Sequence, residues 1–193
     1  MRRRCFWPLS LILIAATAAA PPELPPLNAR VAAFARDHLG KPVGDGICTT
    51  LAIEALREAG AKPAPLDEPD GQYRWGTPVD SLADALPGDI LQFQDAVFEW
   101  KQTTGRRREY WHLEYKHHTA IVAKVADRGR LVTILHQNVE TRGQDPARKG
   151  DVQETTLRMG SLRPGGTVRA YRPMERPSKG EPRTDGEGPG PDR

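Results

Sequence analysis

Cys48 is the residue of this sequence best placed for nucleophilic chemistry. It follows the glycine turn at 44–46 and begins a helical pattern over 48–59, which Gly60 ends. The unpaired backbone N–H groups and the positive dipole end at a helix N-terminus favour a negative charge, so we expect them to lower the thiol pKa. A free thiol, with a pKa of about 8.5, is only a few per cent ionised near pH 7. The sulfur therefore also needs a basic partner.

The basic partner must come from the five histidines, which are His38, His112, His117, His118 and His136. His118 opens a β-prone segment at 118–125, whereas its neighbour His117 points to the opposite face, so only one of the two can face Cys48. His136 and Asn138 lie two residues apart on the next predicted strand and share a face. A hairpin would bring that face beside His118. The set predicts acyl transfer, in which a thiolate attacks, an imidazole moves the proton and a third polar group orients the imidazole.

Metal and nucleic-acid chemistry are not indicated. None of these residues has the spacing of a zinc finger or of His-Glu-x-x-His, and His112-Leu113-Glu114 lacks the Cys-x-x-Cys partner of a zinc deaminase. We therefore expect no metal and no other cofactor. The formal charge is +3, and Arg2, Arg3 and Arg4 account for all of it. The remainder is near neutral and has no basic-aromatic module, so no nucleic-acid partner is expected.

The chain divides into four predicted segments. Residues 1–20 have the basic, apolar and small-residue regions of a signal peptide, with an uncleaved anchor as the alternative. Residues 21–27 form a proline-rich spacer, 28–174 a single domain and 175–193 a disordered tail. Cleavage would remove Cys5 and leave Cys48 as an unpaired thiol in an exported protein. We expect a periplasmic or extracellular monomer with no stable membrane span after cleavage.

The order of elements predicts an α+β fold. Helical patterns cover 28–39 and 48–59, and strands are expected at 90–93, 118–125, 131–138, 151–157 and 167–172. Residues 98–116 are basic and aromatic and predict a hairpin over the surface. The loop at 61–80 carries Tyr73 and Trp75, which either line a substrate groove or plug the surface. Helices followed by an antiparallel sheet fit this class.

Four short segments together resemble the motifs of CHAP amidohydrolases, a branch of the papain-like cell-wall hydrolases that includes the NlpC-type peptidases. In order they are Gly46-Ile47-Cys48-Thr49, Pro87-Gly88-Asp89-Ile90, His118-Thr119-Ala120-Ile121-Val122 and His136-Gln137-Asn138. The resemblance covers roughly residues 31–173. It implies a papain-like α+β fold with N-terminal helices packed on an antiparallel sheet.

The same resemblance implies a function. Cys48 would be the nucleophile, His118 the general base, and His136 and Asn138 the orienting groups, although CHAP members commonly have Glu at the position of His136. NlpC-type members use His as the third group. Members cleave amide bonds in peptidoglycan, so we expect an exported cysteine amidase or peptidase acting on peptidoglycan or another peptide amide. Two alternatives remain open: an amidase effector, and a non-catalytic secreted binding module with a degraded site.

Overall fold

The computed structural model describes residues 23–63, 73–140 and 145–176. Two helices pack on one face of a six-stranded antiparallel sheet, so the predicted α+β class is confirmed. The helices are α1 (Pro26–Asp37) and α2 (Cys48–Ala59). The strands are β1 (Thr77–Val79), β2 (Ile90–Thr104), β3 (Arg107–Ala126), β4 (Leu131–His136), β5 (Gln153–Arg158) and β6 (Thr167–Arg172). Their order in the sheet is β1-β6-β2-β3-β4-β5.

Helix α2 has the bounds that the sequence predicts. Its buried residues recur at helical spacing and form one apolar face, namely Cys48, Leu51, Ala52, Ala55, Leu56 and Ala59. Gly60 ends the helix in the left-handed conformation, with φ of 76°. Helix α1 begins two residues before the predicted start because Pro26 occupies its first turn, where a missing N–H has no cost.

The sheet separates two apolar cores. Ile90, Ile121 and Leu135 pack against the helices, whereas Leu91 and Val122 belong to a second core on the other face. These assignments follow strand alternation, since neighbouring side chains point to opposite faces. The face on which a side chain of β3 or β4 lies therefore decides whether it points toward the helices.

Strands β2 and β3 extend far past their neighbours as a two-stranded ribbon. They stay paired from Ile90 with Ile121 to Thr104 with Arg107, whereas β6 pairs with β2 only as far as Gln94. The predicted excursion at 98–116 is thus the outer part of this hairpin. His118 consequently lies inside a long strand and does not open one.

A buried carboxylate joins α1 to the sheet. Asp89 is fully buried and accepts hydrogen bonds from Asn28 (2.7 Å), the Leu86 N–H (2.8 Å) and the Arg172 guanidinium (3.0 and 3.2 Å). Gly88, with φ of 86°, lets the turn pass so close to α1 that a Cβ would collide with the Asn28 carbonyl. The Pro-Gly-Asp motif therefore anchors the fold.

Several domain predictions fall outside the described residues, namely the signal peptide, the first part of the spacer and most of the tail. At the predicted boundaries, α1 includes the last two residues of the spacer, and Glu175, the first residue of the predicted tail, pairs with Ala61. Strand β1 lies in the predicted loop at 61–80. No described helix has the length and apolarity needed to cross a bilayer.

Candidate active site

Cys48 is the first residue of α2 and is 7% exposed. The backbone N–H groups of Thr119, Thr49 and Cys48 itself lie at its sulfur and favour the thiolate. Burial nevertheless outweighs them and raises the thiol pKa above its ordinary value, and the nearby Asp45 adds to the rise. The expectation of a lowered pKa is therefore wrong, because desolvation exceeds the effect of the helix terminus.

His118 and His136 form a hydrogen-bonded pair, as the sequence predicts. His118 Nε2 lies 3.0 Å from His136 Nδ1, and His136 Nε2 lies 2.9 Å from the Thr155 hydroxyl. Both rings are buried, at 5% and 1% exposure. The Tyr115 ring stacks on His118, with centroids 4.9 Å apart and planes 18° apart. The chain of three polar side chains holds the His118 ring in one orientation.

Burial keeps both imidazoles neutral. It lowers the pKa of His118 to about 3, with a further contribution from the neighbouring His117. It also lowers the pKa of His136 well below its ordinary value, and His118 adds to that effect. A buried imidazolium would lack water and would face a second ring instead of a carboxylate. The pair therefore enters any reaction uncharged near pH 7.

The two neighbouring histidines of β3 divide between the faces of the sheet. The His118 ring contacts Phe93 and Tyr115 in the core away from the helices. His117 lies on the helix side, where its ring is 5.2 Å from Tyr73 and its Nε2 is 3.2 Å from the amide nitrogen of Gln92. Among the described residues, no hydrogen bond joins the Cys48 thiol to an imidazole. The expectation that His118 is the histidine facing α2 and Cys48 is therefore not met, and it is His117 that lies on the helix side. The sulfur reaches the Thr119 N–H, one peptide unit from the base of the His118 side chain.

The other predicted site residues do not join this group. Strand β4 ends at His136 and Asn138 has φ of 62°, so the alternation used to place Asn138 beside His136 does not reach it. Trp75 is 1% exposed, and its indole N–H donates to Gln92 at 2.9 Å. Direct contact between Trp75 and a substrate is thus not available in this structure. Tyr73 is half-buried, with its ring centroid 5.9 Å from that of Trp75, and is the more accessible of the two aromatics.

Gln137 is the site residue that sequence reasoning did not single out. It is fully buried and joins the end of β4 to the loop before Cys48. Its carbonyl accepts from the Val43 N–H at 3.1 Å, and its amide nitrogen donates to the carbonyls of Val43 at 3.0 Å and Ile47 at 2.7 Å. The only signal in the sequence was its place inside the His136-Gln137-Asn138 motif.

The donor set does not suggest a metal centre. Within the part of the chain that the structure describes, no three residues among His, Cys, Asp and Glu come together as metal ligands. The thiol and the histidine pair are surrounded by backbone N–H groups, a hydroxyl and aromatic rings. Such a set fits proton transfer and acyl chemistry.

A comparison with known protein families places the chain. The model described as the AIM3/BBC1 cysteine proteinase-fold domain matches residues 27–181. No curated protein and no solved structure matches the chain. The match confirms the cysteine proteinase (papain-like) fold, whereas the finer assignment to CHAP or NlpC-type hydrolases stays a prediction. The chain belongs to the AIM3/BBC1 cysteine proteinase-fold domain family.

Proposed function

We propose that this chain is a cysteine hydrolase of amide bonds, with Cys48 as nucleophile and His118 as general base. The observation that carries the proposal is the hydrogen-bonded chain from His118 through His136 to Thr155, which begins one peptide unit from the Cys48 sulfur. Burying two imidazoles costs free energy. The hydrogen bond between the rings orients His118, and proton transfer by a general base requires an oriented imidazole. The family fold supplies the matching scaffold.

The direction of the hydrogen bonds from His118 through His136 to Thr155 determines which ring nitrogens carry protons. If the His118 Nε2–H donates to His136 Nδ1, then the proton of neutral His136 is on Nε2 and is donated to Thr155 Oγ1. His118 Nδ1 then has a lone pair for the thiol proton. Because no hydrogen bond joins this ring to the Cys48 sulfur among the described residues, the proposal requires the two to come together when substrate binds. His136 is therefore a positioning residue, because it fixes the tautomer of His118 and does not touch the substrate.

The reaction follows in two steps. The Cys48 sulfur bonds to the amide carbon while its proton moves to His118 Nδ1, and the N–H groups of Cys48 and Thr49 stabilise the developing charge. The C–N bond then breaks, and His118 returns the proton to the leaving amine. Water, deprotonated by His118, cleaves the thioester, and the thiol is restored. No cofactor takes part in this scheme.

Peptidoglycan is the substrate class that we favour, cut within the stem peptide or between peptide and glycan. The support is the resemblance of the four motifs to cell-wall hydrolases and the signal-like N-terminus. The target is the cell wall of the producing cell or, for an effector, that of a neighbouring cell.

A non-catalytic binding module is the second candidate. The observations in its favour are the 7% exposure of Cys48, its raised thiol pKa and the lack of a thiol–imidazole hydrogen bond among the described residues. Such a module would keep the fold and use its surface. Its thiol would react slowly, and because burial raises the thiol pKa, its alkylation profile would lie above that of an ordinary thiol.

The experiment compares digestion of purified peptidoglycan by the wild type, Cys48→Ala and His118→Ala, with new termini identified by mass spectrometry. We expect both variants to lose turnover while circular dichroism shows retained folding, and His136→Ala to keep part of it. His112→Ala, which changes an exposed histidine of the ribbon, is the control and should keep the full rate. Turnover that survives in Cys48→Ala would remove the mechanism. If the wild type cuts neither peptidoglycan nor peptide amides, the hydrolase is refuted and the binding module is the candidate that remains.

A further inference from the structure

The buried amide of Gln137 is hydrogen-bonded only to backbone atoms of the segment before α2. Its carbonyl oxygen and its amide nitrogen make three hydrogen bonds, all to backbone atoms of Val43 and Ile47. The shortest, at 2.7 Å, goes to the carbonyl of Ile47, the residue that precedes the first turn of α2. That carbonyl also accepts the first helical N–H, from Thr50 at 3.0 Å. The orientation of the peptide between Ile47 and Cys48 is therefore fixed from both sides.

This peptide carries the N–H of Cys48. In a trans peptide the N–H points opposite to the C=O, so a carbonyl held toward Gln137 directs the Cys48 N–H away from it. The Cys48 N–H is one of the four N–H groups that a helix leaves without an internal acceptor. In the structure it lies at the Cys48 sulfur, together with the N–H of Thr49.

We infer that Gln137 is a positioning residue, which holds the Ile47–Cys48 peptide so that the Cys48 N–H faces the reacting sulfur and the carbonyl that it attacks. The inference rests on the proposed function, since it assigns Gln137 a task in that reaction. Hydrogen bonding to the Ile47 carbonyl also polarises the peptide and strengthens its N–H as a donor.

The position of Gln137 in the chain links the two halves of the site. It directly follows His136, and the two side chains point to opposite faces of the sheet. His136 orients the base on one face, while Gln137 anchors the loop before the nucleophile on the other. The end of β4 thus sets the distance between sulfur and imidazole, and a shift of this strand end would displace both.

The test measures the rate of Cys48 alkylation by iodoacetamide between pH 6 and 10 in the full chain. Gln137→Met removes all three hydrogen bonds at nearly constant volume. Gln137→Glu keeps an acceptor for the Val43 N–H, but its carboxylate cannot donate to Ile47 and its charge by itself raises the thiol pKa. Gln137→Met is therefore the variant that isolates the lost hydrogen bonds. Asn28→Met is the matched control, because Asn28 is an equally buried amide that bonds to Pro87 and Asp89, away from the thiol.

We expect the midpoint of the alkylation profile to rise by about one pH unit in both Gln137 variants, a loss of about tenfold in thiolate at fixed pH. The Asn28 control should unfold at a lower urea concentration than the wild type, and its alkylation profile should not change. An unshifted profile in Gln137→Met, or an equal shift in the control, overturns the inference. If both Gln137 variants fail to fold while the control folds, Gln137 serves stability alone and the inference is also overturned.

The same measurement separates this inference from the proposed function. Alkylation reports on the thiol whether or not the wild type hydrolyses amides. A shifted profile in a protein without turnover would keep the positioning role and refute the hydrolase. An unshifted profile in a protein whose turnover depends on Cys48 would keep the hydrolase and refute the positioning role of Gln137.

Discussion

Acid should destabilise this fold through the buried pair of His118 and His136. The pKa of His118 is about 3 in the folded chain, against 6.5 for an unperturbed imidazole. Between these values the unfolded chain binds a proton that the folded chain does not, so the free energy of unfolding falls as the pH falls. The stabilisation is complete above about pH 6.5 and decreases by about 1.4 kcal/mol per pH unit below it.

The size of the effect follows from this window. From pH 6.5 to 5.0, His118 alone should remove about 2 kcal/mol from the free energy of unfolding. His136 acts in the same direction, because burial also lowers its pKa. Since domains of this size are commonly stable by about 5–15 kcal/mol, the loss is measurable in a urea titration.

The assay is urea unfolding followed by circular dichroism at pH 7.0, 6.0 and 5.0. Carboxylates also titrate, so the informative quantity is the difference between the wild type and the double variant His118→Gln/His136→Gln, which retains polar groups that do not titrate. We expect the wild type to lose at least about 2 kcal/mol more than the double variant over this range, since both histidines contribute. His112→Gln, at an exposed site, should behave as the wild type. Equal pH dependence in wild type and double variant would refute the claim that the pair is buried and neutral.

Three further predictions concern single positions. Asp89→Ala should lower the free energy of unfolding by about 3 kcal/mol in urea, because it removes a buried carboxylate with three partners; an effect below about 1 kcal/mol would contradict the anchoring role. Trp75→Phe should cost about 1–2 kcal/mol through its lost bond to Gln92 while leaving the rate of hydrolysis unchanged, and a large rate loss would restore Trp75 as a substrate contact. His136→Glu should raise the hydrolytic rate at pH 7 on the order of tenfold, because a carboxylate stabilises the imidazolium of His118 through a charge-assisted bond; a lower rate would show that burial of the new charge outweighs that bond.

Local sequence signals predict those elements in which local and global preferences agree. Helix α2 could be bounded to the residue, because its apolar period, its preceding glycine turn and Gly60 all indicate the same limits. The hydrogen-bonded pairing of His118 with His136 also followed from strand alternation and hairpin geometry. Strand identity failed where no local signal exists: β1 has three residues and is held by its pairing with β6.

The face of the sheet on which each histidine lies could not be read from the sequence. Alternation relates neighbours to one another but does not say which set faces the helices. Alternation is also interrupted within β3. Tyr115 and His118 are three residues apart and would lie on opposite faces of a regular strand, yet their rings stack on the same face. The opposite strand has Asp95 at φ of 48° between the residues paired with Tyr115 and His117. An irregularity of this kind is set by packing across two strands.

The pKa of the thiol shows why helix position alone is a poor guide to reactivity. The N-terminus of α2 supplies N–H groups at Cys48, yet the same packing that delivers them removes water from the sulfur. Burial likewise makes His118 a weak base. Both shifts oppose the thiolate–imidazolium pair and have one cause, so any event that hydrates the site or adds charge to it relieves both together. If this protein is a hydrolase, substrate binding must therefore change the environment of the Cys48 sulfur before the thiol can ionise. In a binding module no substrate changes that environment, and the thiol stays protonated.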